Sequence, residues 1–280
     1  MGTAGEQSQP GRDPLGAARD VAGAAGERLG NARSGAGERI GAARDAAGKQ
    51  VAAARETAAM AAHGVADKLS QKPRLRGVSH QWAFFISLGA GAALILAASG
   101  STAVIAMSIY AFSLSAMLGT SALYHRVTWT PDVRQWMRRL DHTMIFIFIA
   151  GTYTPFALLV MHGSLADAVL IVVWASAAGG VILNLLWITA PYWVTSVVYL
   201  STGWVAIVTL PQLWEEIGPV GVGLIALGGA LYTAGAIIYA RRRPDPRPQV
   251  FGYHEIFHVL VIAAAAVQYA AVAIYALPAG

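Results

Sequence analysis

The chemistry legible in this sequence rests on three histidines and one aspartate: His125, His254, His258 and Asp141. His254 and His258 are four residues apart, the spacing at which two imidazoles leave one face of a helix and can grip one metal ion. Each of the four lies at one end of a long apolar segment, and ionisable groups at membrane depth are costly enough to mark a site. A lone histidine at a helix end is ordinarily an interfacial side chain. Three imidazoles converging at one depth are instead the donor set of a catalytic zinc site with an open position. Zinc lowers the pKa of bound water towards 7, and Asp141 could orient that water or accept its proton. Ser121 is one turn before His125 on the same face, where it could hydrogen-bond Asp141, the water or a substrate oxygen. His142 is adjacent to Asp141 and points about 100° away, outside the ligand set. His80 is a second-tier candidate. His162 falls on the opposite side, His63 in the N-terminal tail, and Glu255 points away from the two histidines that flank it.

Those residues converge only if a membrane topology brings them together. The chain is 56% hydrophobic and 12% charged, where a soluble domain is nearer a quarter charged. It has no cysteine, which excludes a disulfide scaffold, a thiolate metal site and a Cys nucleophile. No basic-then-apolar leader opens it, so the first span is expected to target it. A span needs about 20 mainly apolar residues, and seven candidates meet this, at roughly 80–98, 102–125, 140–161, 165–188, 193–211, 219–240 and 254–277. Pro155 lies inside the third and could kink it. The expected fold is therefore an all-α integral membrane protein, a seven-transmembrane-helix bundle.

The loops give an orientation. Lys72, Arg74 and Arg76 precede the first span. Arg126, Arg134, Arg138 and Arg139 surround the second-to-third loop, and Arg241, Arg242, Arg243 and Arg247 fill the sixth-to-seventh. The alternate loops, 99–101, 162–167 and 212–219, hold no Lys or Arg. The positive-inside rule then puts the N-terminus in the cytoplasm and the C-terminus outside, with His125, Asp141, His254 and His258 on the cytoplasmic side. The net charge of +5 is explained by this distribution rather than by nucleic acid, which is not an expected partner.

Residues 1–72 form a separate polar tail, rich in Ala, Gly, Arg and Glu. Gly26-Glu-Arg-Leu-Gly30 and Gly37-Glu-Arg-Ile-Gly41 are an eleven-residue repeat, and Leu15, Leu29, Ile40, Val51, Val65 and Leu69 share one narrow helical face. Its many glycines, each costing about 1 kcal/mol relative to Ala, leave two readings open: a disordered cytoplasmic tail, or a helix formed on the membrane surface.

The segments Pro73-Arg-Leu-Arg-Gly-Val-Ser-His80, Ser121-Ala-Leu-Tyr-His125, Leu140-Asp-His-Thr-Met-Ile-Phe-Ile-Phe-Ile-Ala-Gly-Thr-Tyr-Thr-Pro155 and His254-Glu-Ile-Phe-His258 resemble the hemolysin III family. That family is the bacterial branch of the progestin and adipoQ receptor (PAQR) superfamily. The resemblance covers residues 73–277 and leaves the tail outside. It implies a seven-helix domain over 73–280 and a zinc ion held by His125, His254 and His258 near the cytoplasmic side. Asp141 would hold a zinc-bound water, with Ser121 beside it. It also implies a plasma-membrane protein concerned with lipid homeostasis. The first expectation is a zinc-dependent hydrolase of lipid amides or esters, ceramidase-like, acting on membrane lipids. The rivals are a pore-forming or cytolytic protein, and a lipid sensor in which zinc is structural. The topology makes a direct prediction: reporter fusions after Gly218 read outside and fusions after Pro244 read inside, and the reverse pattern would move the histidines to the other face of the membrane.

Overall fold

A computed structural model describes residues 14–70, 73–187 and 191–280. Side chains at 14–18, 20, 21, 24, 32, 61–70, 192 and 195 fall outside the description, and with them those of Leu15, His63, Val65 and Leu69; Lys72 and residues 1–13 and 188–190 lie outside it altogether. The described chain divides into two units, one up to residue 71 and one from 72 onward. The first is a single helix, α1 (Pro14–Ser70), on which Leu29, Ile40 and Val51 are exposed.

The second unit is helical: α2 (Val78–Ala97), α3 (Gly100–Arg126), α4 (Pro131–Leu159), α5 (Gly163–Leu186), α6 (Tyr192–Gly203), α7 (Leu210–Arg241) and α8 (Tyr253–Ala271). A 3₁₀ turn, Trp204–Thr209, joins α6 to α7, and α8 ends in a π turn and a short 3₁₀ turn. Among the described residues there is no strand, only one bridge between Arg247 and Phe251. Sequential helices pack on one another, and α8 packs on both α7 and α2, closing the bundle. The interior is built around α3 and α4, with Met107, Tyr110, Leu114, Phe146 and Phe148 buried. Outward positions such as Ile86, Leu96, Phe112, Ile171 and Leu186 are exposed, an inversion suited to lipid, where nothing drives apolar side chains inward.

Six helical stretches among the described residues are long and apolar enough to cross a membrane, which makes this a multi-pass membrane protein. Seven were expected. The difference lies in residues 193–240, where the two expected spans run together as one helical stretch, Ser196–Arg241 (46 residues). Such a length would rise about 69 Å at 1.5 Å per residue, over twice the hydrocarbon thickness of about 30 Å. The stretch is interrupted. Gly218 has φ 65° and ψ −176°, a conformation open in practice only to glycine, and Pro219 follows it. The 3₁₀ turn has its backbone partly satisfied by one side chain: the Tyr153 hydroxyl donates to the Gly203 carbonyl and accepts from the Ala206 N–H at 2.8 Å. Irregular backbone at membrane depth survives only with such partners.

A second difference concerns α4. It begins at Pro131, not near 140, with Pro at its start and Asp132 in its first turn, both favoured there. Asp141 therefore sits inside the helix, almost three turns from its start. The helix continues through Pro155 to Leu159.

Close approach of α2 to α3 depends on Gly91. A Cβ at Gly91 would lie 2.8 Å from the Ala111 Cβ and 3.5 Å from its Cα, whereas one at Gly89 meets nothing within 4 Å. Gly91→Val is expected to destabilise the bundle by about 1–3 kcal/mol through overpacking against backbone that cannot yield. Gly89→Val is the control, and thermal unfolding of the two variants in detergent should separate them.

Candidate metal centre

The centre is assembled where the chain enters α2, leaves α3 and enters α8. The Arg74 N–H donates to the Gln249 carbonyl at 3.0 Å and the Leu75 N–H to the Val250 carbonyl at 3.2 Å, so residues 73–76 run beside the loop that leads into α8. The start of α8 is capped from two directions. The Gly252 N–H donates to the Glu255 carboxylate at 2.7 Å, and the Tyr253 N–H to Asp245 Oδ1 at 3.0 Å. These satisfy donors that the first helical turn leaves without intrahelical partners. Glu255 is buried and also pairs with Arg76.

With that turn fixed, His254 and His258 face the end of α3. His254 Nε2 and His125 Nε2 are 3.2 Å apart, and one nitrogen from each of His125, His254 and His258 lies within 4.8 Å of the others. His125 and His258 are buried and His254 half-buried. Zn–N bonds of about 2.0–2.1 Å at tetrahedral angles put neighbouring ligand nitrogens about 3.3 Å apart, so the 3.2 Å separation suits two ligands of one ion. His258 Nδ1 is buried and has no hydrogen-bond partner among the described groups, which costs about 1–3 kcal/mol in a protein interior and leaves the ring open to a further partner. The three histidines therefore fit a transition metal, and could form a metal site.

The other expected residues fall around this trio. Asp141 Oδ2 is 3.9 Å from His125 Nε2, beside the set but outside it, and the Ser121 hydroxyl is within reach of its carboxylate. His142 turns Nδ1 to the Arg138 carbonyl at 2.8 Å. His162 is distant and pairs with Glu216 at 3.4 Å. His80 lies flat on His258, with ring centroids 3.8 Å apart and planes 11° from parallel. Tyr239 of α7 meets the His254 ring edge-on at 5.5 Å.

Sequence reasoning missed Arg76, Glu255 and Gly77 as supports of the centre. Gly77 has φ 78°, and a Cβ there would lie 2.6 Å from the His125 Cβ, so any side chain would both strain the backbone and displace His125. The glycine of the Arg-Leu-Arg-Gly-Val motif was the available signal.

Below the histidines a cavity of about 600 Å³ opens among α4, α6, α7 and α8. His80, Ser121, Asp141, His254 and His258 line one end, and apolar side chains such as Phe156 and Leu213 line much of the rest. The volume is in the range of small-molecule sites.

Residues 69–269 match the family described as Haemolysin-III related. The chain belongs to the haemolysin III family. It is 31% identical to "Hemolysin-3" of Bacillus cereus over 204 residues, which is 72% of this chain and 90% of that one. It is 30% identical to "Hemolysin-3 homolog" of Bacillus subtilis (strain 168) over 174 residues, covering 61% and 78%. It is 29% identical to the human "Monocyte to macrophage differentiation factor" over 168 residues, covering 59% and 67%, a likeness that supports the wider PAQR superfamily. The tail up to residue 68 is outside the family match.

If the trio is the metal site, His125→Ala, His254→Ala and His258→Ala each lose most of the bound metal in elemental analysis of purified protein, because three protein ligands are the minimum for such a centre. His142→Ala retains it. Full metal content in the His254→Ala, His258→Ala double variant would show that the histidines do not hold the ion.

Proposed function

We propose that this haemolysin III family protein is a zinc-dependent hydrolase of lipid amides or esters in the plasma membrane. The single observation that carries the reading is that two members of the three-histidine cluster, His254 and His258, line one end of a largely apolar cavity of about 600 Å³ together with Asp141. An all-nitrogen trio favours zinc over calcium or magnesium, which take oxygen ligands.

The proposal includes a topology. The stretch Ser196–Arg241 crosses twice, reversing at Gly218-Pro219, which gives seven crossings. The packing of α6 back on α7 supports this, as does a cavity lined by Tyr199 and Leu200 on one side and Ala230 and Thr233 on the other. The positive-inside distribution then places the N-terminus and the histidines on the cytoplasmic side and the C-terminus outside. Residues 1–72 are a separate tail and 73–280 the membrane domain.

A zinc ion bound there supplies Lewis acidity to the substrate carbonyl and acidity to a water. The chain's own residues do the rest. The apolar walls seat an acyl chain with its carbonyl carbon towards the histidines. Asp141 accepts a proton from the attacking water as its oxygen bonds to that carbon, and returns it to the leaving nitrogen or oxygen as the C–N or C–O bond breaks. Free fatty acid and an amine or alcohol leave. Ser121 holds the Asp141 carboxylate in position, and the His80 ring fixes the plane of His258 by stacking.

Two other readings remain for the test. The relatives' printed name, Hemolysin-3, suggests cytolysis. A pore, however, needs a polar lining, and this cavity is walled mostly by apolar groups. A lipid sensor with structural zinc would use the same cavity without turnover. Asp141→Asn is expected to keep its zinc and lose activity about a hundredfold or more, since Asn keeps the shape but cannot accept the proton. The assay is fatty-acid release from ceramides, acyl amides and phospholipids, with and without chelator. Zinc-loaded wild type that releases no fatty acid from this panel would eliminate the hydrolase in favour of the sensor.

A further inference from the structure

Helix α1 sorts its side chains by angle. On a wheel of about 100° per residue, Leu29, Ile40 and Val51 fall within about 40° of one another, and the positions between them on that face are alanines such as Ala36, Ala47 and Ala58. Arginines flank this stripe on both sides: Arg19, Arg44 and Arg55 at about 60–80° from Leu29 one way, Arg28 and Arg39 at about 80–100° the other, with Arg33 at its edge. The acidic residues Glu27, Glu38, Asp45 and Glu56 lie at about 160–180°, opposite the stripe. Lys49, on the acidic side, is the one exception among the described residues, and all of these charged residues are exposed.

This arrangement matches one kind of surface. An apolar stripe between basic flanks, with acids on the far side, complements an anionic leaflet: the stripe enters the acyl boundary, the arginines meet headgroup phosphates, and the acids stay in water. It does not suit a second copy of α1. Paired stripes would set arginine flanks against each other, a like-charge contact that costs stability. Chain length makes the leaflet accessible, because only seven residues separate Ser70 from Val78, the start of a membrane-spanning helix, a reach of at most about 25 Å.

We propose that α1 docks along the bilayer surface on anionic headgroups, with Leu29, Ile40 and Val51 as its apolar anchors. This rests on membrane-protein family membership and is independent of the metal reading. Docking also supplies what the helix otherwise lacks, since its glycines disfavour helix in water and the stripe gains burial only against a surface.

The test uses the full chain. With no native cysteine, single substitutions carry a unique label. Ile40→Cys, Val51→Cys, Glu38→Cys and Asp45→Cys proteins are labelled with an environment-sensitive fluorophore and reconstituted in vesicles of phosphatidylcholine alone or with phosphatidylglycerol. The expected result is a blue shift at 40 and 51 but not at 38 and 45. It should appear only with phosphatidylglycerol and be lost at high salt and in the variant R28E/R39E/R44E/R55E. Equal emission at all four positions would overturn the proposal, as would an equal shift in phosphatidylcholine alone. A shift that disappears as protein is diluted into more lipid would overturn it in favour of a second copy.

Discussion

The pair between Arg76 and the buried Glu255 is the contact on which the rest of the site depends. Glu255 belongs to the same helical turn as His254 and His258, so whatever fixes its rotation about the α8 axis fixes theirs. It is 2% exposed, and a carboxylate so placed is tolerable only when paired and hydrogen-bonded. Here it has both: the Arg76 guanidinium and the Gly252 N–H. Losing the partner would strand a buried carboxylate, which is destabilising, so rotations of α8 that would turn the histidines away from α3 are disfavoured. The same arginine belongs to the segment held against the loop before α8, and the next residue, Gly77, lies directly against His125. One ion pair thus couples three chain segments that together present three imidazoles.

The residues that could do chemistry were legible in the sequence, but the residues that hold them were not. His254 and His258 announce themselves by their spacing, because four residues on a helix mean one face. His125 is drawn to them by topology, since alternating loop charge implies which span ends share a side. By contrast, Arg76 and Glu255 are separated by 179 positions, and no local periodicity encodes such a pairing. The helical spacing turns Glu255 away from His254 and His258, but that direction alone does not reveal its partner. His80 was a second-tier candidate on position, and its stacking on His258 could be seen only with both rings placed.

The fold shows the same division between local and non-local signals. Apolar runs marked where helices lie, because a span must be apolar whatever it packs against. Their ends were less legible. α4 extends upstream to Pro131 because a polar, arginine-bearing segment can be helical outside the hydrocarbon, where hydropathy no longer reports on it. Residues 193–240 ran together because helical backbone can persist through an interruption of one non-helical residue, Gly218, and a 3₁₀ turn partnered by Tyr153. The sequence contained Gly218-Pro219, but only the backbone conformation shows how little of the helix it interrupts.

Placement at helix ends resolves a conflict between the two things this centre needs. Imidazoles and a carboxylate are costly in hydrocarbon, and more so where water cannot reach. The acyl chain of the proposed substrate, conversely, would be stable only away from water. A midplane site would serve the lipid but strand the polar groups, and an extramembrane site would do the reverse. The trio stands at the start of α8 and the end of α3, where capping N–H groups, Arg76 and the polar 241–252 loop surround it. The largely apolar cavity runs from there into the bundle, between α4 and the α6–α7 pair. Apolar wall and polar end meet where Ser121, Asp141, His254 and His258 line the cavity, so the proposed lipid could stay in an oil-like environment while its carbonyl alone reaches the polar end. The small residues of α7, Ala226, Gly229 and Ala230, line the cavity and leave the room that the proposed acyl chain would fill.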